Sequence, residues 1–181
     1  MNICVFCGSS LGNNSAYVQA AQELADLFVQ SNSSLVYGGG NVGLMGVIAD
    51  SILQKGGKVI GVIPDFLLKK EVGHKGITEL IVVNSMHERK KLMADMADAF
   101  IAIPGGLGTL DELAEILTWK QLGLINKPIG LLNTNSYFTP LIAQMEKMVT
   151  EGFLKQHSLA DLVIQQSPQK LLTSIGAVFV K

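Results

Sequence analysis

FIAIPGGLGTLDELAE, residues 100–115, combines three kinds of sequence in one short stretch. Residues 100–103 are apolar and predict a buried strand, whereas Pro104 and the glycines that follow predict a tight turn. The acids after the turn open a pattern with helical spacing. A glycine-rich turn between a strand and a helix N-terminus is a common anion site, because free N–H groups and the helix dipole point at it. The stretch therefore predicts a strand-turn-helix unit of an α/β fold with an anion-binding loop.

The same alternation of short apolar runs and helical patterns continues along all 181 residues. Several runs are apolar throughout, which is typical of strands buried on both faces of a parallel sheet. The length suits one sizeable core rather than two domains. We therefore predict a single α/β domain over residues 1–181, a Rossmann-like three-layer sandwich with a mostly parallel sheet of about seven strands. The predicted strands are 3–6, 35–37, 59–63, 80–83, 99–103, 129–132 and 162–164, and the helices are 16–30, 43–55, 86–97, 110–122, 140–151 and 169–178.

The composition limits the classes of partner. A formal net charge of -1 with 16% charged residues gives no basic surface for nucleic acid. No apolar stretch is as long as a membrane span, so we expect no membrane partner and a cytoplasmic location. The low charge favours coverage of apolar surface by a second copy of the chain. Cys4 and Cys7 lie in a strand pattern on opposite faces, which predicts buried apolar residues rather than a redox or metal site. We expect no metal and no cofactor.

Glycine loops follow the first, second and fifth predicted strands. The loop at residues 38–43 matches the Gly-x-Gly-x-x-Gly dinucleotide fingerprint. However, it belongs to the second strand-helix unit, and Pro64 interrupts the next strand before the acidic Asp65. The glycines of this loop could equally serve tight turns and close packing, and for Gly43 the two readings stay open. The loop at residues 105–109 carries three glycines and the Thr109 hydroxyl at a helix start, which favours a phosphate there.

Two charged side chains stand out because of their helical phase. Arg89 is in phase with the apolar face of its predicted helix, and an inward-facing arginine needs an anionic partner or ligand. Glu112 continues a polar stripe of spacing three that starts at Thr109 and runs through Glu115 and Thr118. Acids in a first helical turn commonly serve the helix dipole. The stripe begins at a ligand loop, so we interpret it as the wall of a site.

The segment SMHERK at residues 85–90, followed by PGGLGTLDE at 104–112, resembles the paired motifs of the Lonely Guy family. Members are phosphoribohydrolases that release free cytokinin bases from nucleoside 5'-monophosphates. The loops at 8–10 and 38–40 are also similar to the family's loops. The resemblance implies a homodimer that binds a nucleoside 5'-monophosphate and uses Arg89 and Glu112 as catalytic residues. It implies substrate-binding roles for Glu71, Lys90, Gly105, Gly106, Leu107, Gly108, Thr109, Leu110, Asp111, Thr118, Gly8, Ser9, Gly39 and Gly40.

The expected reaction is hydrolysis of the N-glycosidic bond of AMP or N6-modified adenosine 5'-monophosphates, with Glu112 stabilising the cationic sugar and deprotonating water. Leu107 stands where many relatives have Tyr, and Asp111 where many have Glu, so the preferred base stays open. A non-catalytic nucleotide or cofactor carrier would use the same phosphate loops, and a transferase would pass the ribose phosphate to an acceptor other than water. The family is often labelled lysine decarboxylase, but the chain shows no pattern typical of a Schiff-base lysine with partners for pyridoxal phosphate.

Overall fold

Seven parallel strands form the centre of the computed structural model, which describes residues 1–69 and 73–179. The order across the sheet is β4-β3-β2-β1-β5-β6-β7, and every neighbouring pair is parallel. All predicted strands are confirmed, and the sheet is parallel throughout rather than mostly so. The strands are β1 (Asn2–Phe6), β2 (Ser34–Tyr37), β3 (Val59–Pro64), β4 (Glu79–Val83), β5 (Ala99–Ala102), β6 (Ile129–Leu132) and β7 (Leu162–Gln165).

The helices cover both faces of the sheet. They are α1 (Ser15–Gln30), α2 (Gly43–Leu53), α3 (Asp65–Leu68), α4 (Met86–Met96), α5 (Leu107–Gln121), α6 (Thr139–Thr150), α7 (Gln156–Ala160) and α8 (Pro168–Ser174). The six predicted helices are confirmed, while α3 and α7 were not predicted because four and five residues are too few to show a helical period. Helix α8 ends earlier than predicted, before Gly176 at φ 95°. Within the described residues, no helix has both the length and the apolar character that a membrane crossing requires.

The apolar core is divided into two layers by the sheet. Helices α1, α2 and α8 pack on one face, and α4, α5 and α6 pack on the other. Along β1, Ile3 and Val5 face the first layer, whereas Cys4 and Phe6 face the second. Cys7 lies on the opposite face from Cys4, and both thiols are free and buried, as the strand pattern predicted.

The winding direction of the chain reverses between β1 and β5, which are neighbours at the centre of the sheet. In such sheets the crevice outside the carboxyl ends of these two strands is the usual ligand position. Here the two loops at that position are in direct contact, because the Gly8 N–H donates to the Pro104 carbonyl oxygen at 3.1 Å. A Cβ atom on Gly8 would lie 3.1 Å from the Gly105 Cα atom. The close approach therefore depends on the small size of both glycines.

The start of α2 packs on the loop after β1. Gly43 has φ 60°, and a Cβ atom there would lie 2.2 Å from the Ser9 carbonyl carbon. The next N–H, from Leu44, donates to the Gly8 carbonyl oxygen at 3.0 Å. Gly43, the last glycine of the dinucleotide fingerprint, therefore allows the backbone of α2 to pack directly on the backbone of the loop after β1. Of the two readings left open for Gly43, the structure favours the packing one.

We expect Gly43→Ala to destabilise the fold strongly, because it combines a left-handed backbone with a backbone collision. Gly56→Ala is the matched control, since Gly56 has φ 74° but open space where its Cβ would lie. Left-handed strain costs about 1–2 kcal/mol at either position, and overpacking adds about 1–3 kcal/mol at Gly43 alone. Urea denaturation of both variants measures the difference. Equal losses of unfolding free energy would contradict the packing role of Gly43.

Candidate active site

A cleft of about 220 Å³ opens at the carboxyl ends of β1, β2 and β5. Among the predicted site residues, it brings together Gly8, Ser9, Arg89, Gly106, Leu107, Gly108, Thr109, Asp111 and Glu112. Sequence reasoning missed five further lining residues, which are Val5, Cys7, Gly38, Met45 and Met86. Four of these look like ordinary core residues in the sequence, and Gly38 stands beside two identical glycines. Met86 and Gly38 lie within the quoted segments 85–90 and 38–40, but no local signal separated them from their neighbours.

The start of α4 is fixed by a reciprocal cap. The Ser85 hydroxyl accepts from the Glu88 N–H at 3.1 Å, and the Glu88 carboxylate accepts from the Asn84 N–H at 2.8 Å. The first bond satisfies an N–H group that a helix start otherwise leaves free, and the second ties the residue before the N-cap to the first turn. Together the two bonds set the rotation of the helix, so that Arg89, one turn later, points toward the sheet. The predicted inward direction of Arg89 is confirmed, since only 8% of the residue is exposed.

The guanidinium of Arg89 fills the space beside Gly38. Its Nη2 atom donates to the Gly38 carbonyl oxygen at 3.3 Å and lies 3.9 Å from Glu112 Oε1. A Cβ atom on Gly38 would lie 1.8 Å from Nη2, so any side chain at this position would displace the guanidinium. The Arg89 Nε atom is buried and has no hydrogen-bond partner among the described residues. The guanidinium therefore retains donor capacity that a ligand in the cleft could use.

Helix α5 begins at Leu107, three positions before the predicted start, so the predicted phosphate loop forms the first turn of the helix itself. Its N-cap is Gly106, which makes no side-chain capping bond, and the first N–H groups of a helix lack intrahelical acceptors. Thr109 is 3% exposed, and its hydroxyl oxygen has no partner among the described residues. A buried, unpaired hydroxyl beside uncapped N–H groups is well suited to hold an anion.

Glu112 lies one turn further along α5, with its side chain 13% exposed. Burial raises the pKa of its carboxyl group to about 7, although the Arg89 guanidinium acts in the opposite direction. Asp111 and Glu115 raise the pKa further, and Lys90 lowers it. Burial thus outweighs the attraction of the arginine. The carboxyl group changes its protonation state near neutral pH, which is the property that a general acid or base requires.

Lys90 joins α4 to α5 instead of pointing freely into the cleft. Its Nζ atom lies 3.2 Å from Asp111 Oδ2 and 3.2 Å from Glu115 Oε1. Burial lowers the pKa of the Lys90 ammonium group, but the two carboxylates outweigh burial, so that the pKa is raised. Glu115, which the polar stripe assigned to the site wall, is therefore engaged by Lys90. Among residues 1–69 and 73–179, no three His, Cys, Asp or Glu side chains are grouped as metal ligands would be.

The remaining predicted residues lie outside the cleft. Leu110 and Thr118 line a separate apolar groove, where the Thr118 hydroxyl donates to the Ala114 carbonyl oxygen at 2.8 Å. Gly39 and Gly40 pair with the segment after residue 72: Gly39 accepts from the His74 N–H at 3.0 Å, and Gly40 forms an antiparallel bridge with Gly73. Gly105 lines a neighbouring recess, and Glu71 lies outside the described residues.

The raised pKa of Glu112 predicts that this residue lowers stability at alkaline pH. Near pH 4 the Glu112 carboxyl is largely protonated in both the folded and the unfolded protein. As the pH rises, the unfolded chain releases this proton at a lower pH than the folded protein does. The folded state therefore loses stability until the pH passes about 7. We expect Glu112→Gln to exceed the parent protein in unfolding free energy by about 2–3 kcal/mol at pH 8 and by much less at pH 5. Chemical denaturation at both pH values measures this difference. As a control, replacement of the exposed Glu79 by Gln makes the same chemical change outside the cleft. A gain from Glu112→Gln that is equal at both pH values would contradict the burial effect.

Among solved structures, the chain is similar to the molybdenum cofactor binding protein of Rippkaea orientalis. The TM-score is 0.70 and the identity is 24%, over 96% of each chain. At this level of identity, the similarity shows that the two proteins share a fold.

Sequence comparisons find relatives over most of the chain. The family model described as possible lysine decarboxylase matches residues 45–175. A probable cytokinin riboside 5'-monophosphate phosphoribohydrolase of Oryza sativa subsp. japonica is 45% identical over 96% of this chain and 71% of its own length. A cytokinin riboside 5'-monophosphate phosphoribohydrolase of Arabidopsis thaliana is 48% identical over 92% of this chain and 77% of its own length. The protein thus belongs to the Lonely Guy family.

Proposed function

We propose that the protein is a phosphoribohydrolase, which cleaves the N-glycosidic bond of adenosine 5'-monophosphates, N6-modified or plain, to give the free base and ribose 5-phosphate. One observation carries this proposal: a carboxyl group with a pKa of about 7 lies one turn below an uncapped helix N-terminus and 3.9 Å from a buried arginine. The names of the similar plant proteins support it, since they specify phosphoribohydrolase activity on cytokinin riboside 5'-monophosphates. The cytoplasmic location stays a prediction.

Phosphate binding at α5 would come from backbone N–H groups and the Thr109 hydroxyl. These groups carry no full charge, so the site can hold a phosphate without neutralising Glu112 nearby. A phosphate at this point anchors the nucleotide away from the bond that breaks. The binding energy of the phosphate can then hold the sugar against Glu112, which accelerates the chemical step.

Cleavage of the bond between the sugar and the base passes through a ribosyl cation-like state. The ionised Glu112 stabilises the positive charge at the anomeric carbon and accepts a proton from the attacking water. The electrons of the broken bond go to the leaving base, which takes up a proton from solvent water. Because its pKa is about 7, Glu112 can both accept and release a proton near neutral pH. Arg89, with a free Nε donor, orients an anionic or polar group of the substrate.

Decarboxylation of lysine fits the site less well. A lysine that forms a Schiff base must lose its proton, so such residues have a lowered pKa. Lys90, the lysine adjacent to Glu112, has a raised pKa because two carboxylates hold its charge. No lysine is among the described residues that line the cleft. The geometry therefore favours the hydrolase over the activity in the family model's description.

A non-catalytic carrier would share the phosphate loop but would not need Glu112. Incubation of the pure protein with AMP and with N6-isopentenyl-AMP, followed by chromatography, separates the two functions. The hydrolase yields free base and ribose 5-phosphate, whereas a carrier leaves the bound nucleotide intact. A transferase would require an added acceptor before it released base.

In the same assay, we expect Glu112→Gln to lower turnover by a factor of about one hundred or more, because the amide cannot accept a proton from water. Nucleotide binding should persist, since the phosphate contacts are unchanged. Glu79→Gln, an exposed carboxylate on β4, is the control and should retain parental turnover. Parental turnover in Glu112→Gln would remove this residue from the mechanism.

We also propose that the protein is a homodimer, formed through the apolar groove between α5, α6 and α7. The groove has a volume of about 320 Å³ and is mostly apolar, and Met148 on its rim is 38% exposed. A second copy would remove this surface from water, which favours association. Thr118 lines the groove, so a dimer of this kind would place this predicted substrate contact at the subunit boundary.

Met148→Glu should shift the protein toward the monomer, because association would bury an unpaired charge. Light scattering coupled to size-exclusion chromatography measures the mass in solution. Val178→Glu is the control, since Val178 is 77% exposed near the other face of the sheet. If the Met148 variant keeps the dimeric mass, the groove is not the interface.

A further inference from the structure

The segment after β6 has a backbone that few residues adopt. Asn135 has φ 51° and Ser136 has φ 58°, so two consecutive residues other than glycine lie in the left-handed region. Each costs about 1–2 kcal/mol relative to ordinary backbone, somewhat less for asparagine. A conformation of this kind persists only where its surroundings enforce it, and such positions are often close to functional sites.

The side chain of Asn133 enforces this conformation. It is 7% exposed, its Oδ1 atom accepts from the Phe138 N–H at 2.7 Å, and its Nδ2 atom donates to the Thr139 hydroxyl at 3.2 Å. Phe138 is itself 1% exposed and belongs to the core. Tyr137 lies between the left-handed residues Asn135 and Ser136 on one side and the hydrogen-bonded Phe138 on the other. Its position is therefore determined from both sides.

Tyr137 reaches from this segment to the loop before α5. Its hydroxyl donates to the Gly105 carbonyl oxygen at 2.5 Å. The Gly105 carbonyl and the Gly106 N–H belong to one planar trans peptide, so they point in opposite directions. By holding the carbonyl, Tyr137 sets the direction of the N–H of the α5 N-cap, away from the tyrosine. Gly106 lines two neighbouring hollows. One is the cleft that contains Arg89 and Glu112, and the other is a recess lined by Tyr17, Gly105 and Tyr137.

We propose that Tyr137 is a positioning residue for the phosphate site, acting through the peptide between Gly105 and Gly106; this role rests on the proposed function. The hydrogen bond keeps the Gly106 N–H available to the anion. It also turns the Gly105 carbonyl oxygen, whose partial charge would repel a phosphate, away from it. Tyr137 is 41% exposed, so the bond rather than deep burial carries this role.

Simple packing is the competing explanation for Tyr137. Its ring contacts Tyr17 edge-on with centroids 5.7 Å apart, and Phe138 with centroids 5.1 Å apart. Tyr137→Phe separates the two explanations, because it keeps both ring contacts and removes only the hydroxyl. Tyr17→Phe is the matched control, since the Tyr17 ring lies in the same recess and no described residue hydrogen-bonds its hydroxyl.

The test is calorimetric binding of ribose 5-phosphate and of adenosine, together with the kinetics of AMP hydrolysis. We expect Tyr137→Phe to weaken ribose 5-phosphate binding about fivefold and to raise KM similarly, with adenosine affinity, kcat and melting temperature close to parental values. Tyr17→Phe should match the parent throughout. Parental affinity for ribose 5-phosphate in Tyr137→Phe, or an equal loss for both ligands, would overturn the positioning role alone. Failure of the parent protein to release base from AMP and from N6-isopentenyl-AMP would overturn the proposed function, and the role of Tyr137 with it.

Discussion

The contact between the loops after β1 and β5 is the constraint on which the cleft depends. Two backbones can approach this closely only where neither carries a side chain: a Cβ atom on Gly105 would lie 2.7 Å from the Gly8 nitrogen and 2.1 Å from the Thr109 hydroxyl oxygen. The contact places the start of α5 against the end of β1. It thereby brings the uncapped helix N-terminus to the point where the sheet changes its winding direction. The strained turn that carries Tyr137 supports this loop from the outside.

Within the cleft, Arg89 and Glu112 form an incomplete ion pair. At 3.9 Å the two charged groups attract each other, but the separation is too long for a hydrogen bond. Burial disfavours the charged carboxylate more strongly than the arginine favours it, and this balance gives Glu112 its pKa of about 7. A fully bonded pair would be more stable and less reactive. The site therefore combines a lower stability of the fold with a carboxyl group that titrates near neutral pH.

Much of the fold follows from local patterns, whereas the pairing of Arg89 with Glu112 was implied only by the family resemblance. Short apolar runs predicted all the strands, and the central strands β1, β2, β3, β5 and β6 are apolar almost throughout because they are buried on both faces. The helical phase of Arg89 predicted its inward direction. The start of α5 was placed too late, because Gly106 and Gly108 are typical of turns and only the fold shows that they begin a helix. Two features depend on tertiary contacts that no local pattern encodes. Gly38, rather than Gly39 or Gly40, lines the cleft, and Tyr137 reaches the loop at Gly105, which lies 32 positions earlier.

The overlap between a Cβ atom at Gly38 and the guanidinium of Arg89 couples the evolution of two positions that are 51 apart in the chain. While the arginine keeps its present position, a side chain at 38 would push the guanidinium away from the Gly38 carbonyl oxygen and from Glu112. If the arginine were replaced by a shorter residue, alanine or serine could occupy position 38 without this collision. An arginine restored after such a change would not regain its present position until glycine was also restored at 38, so the order of the substitutions would matter.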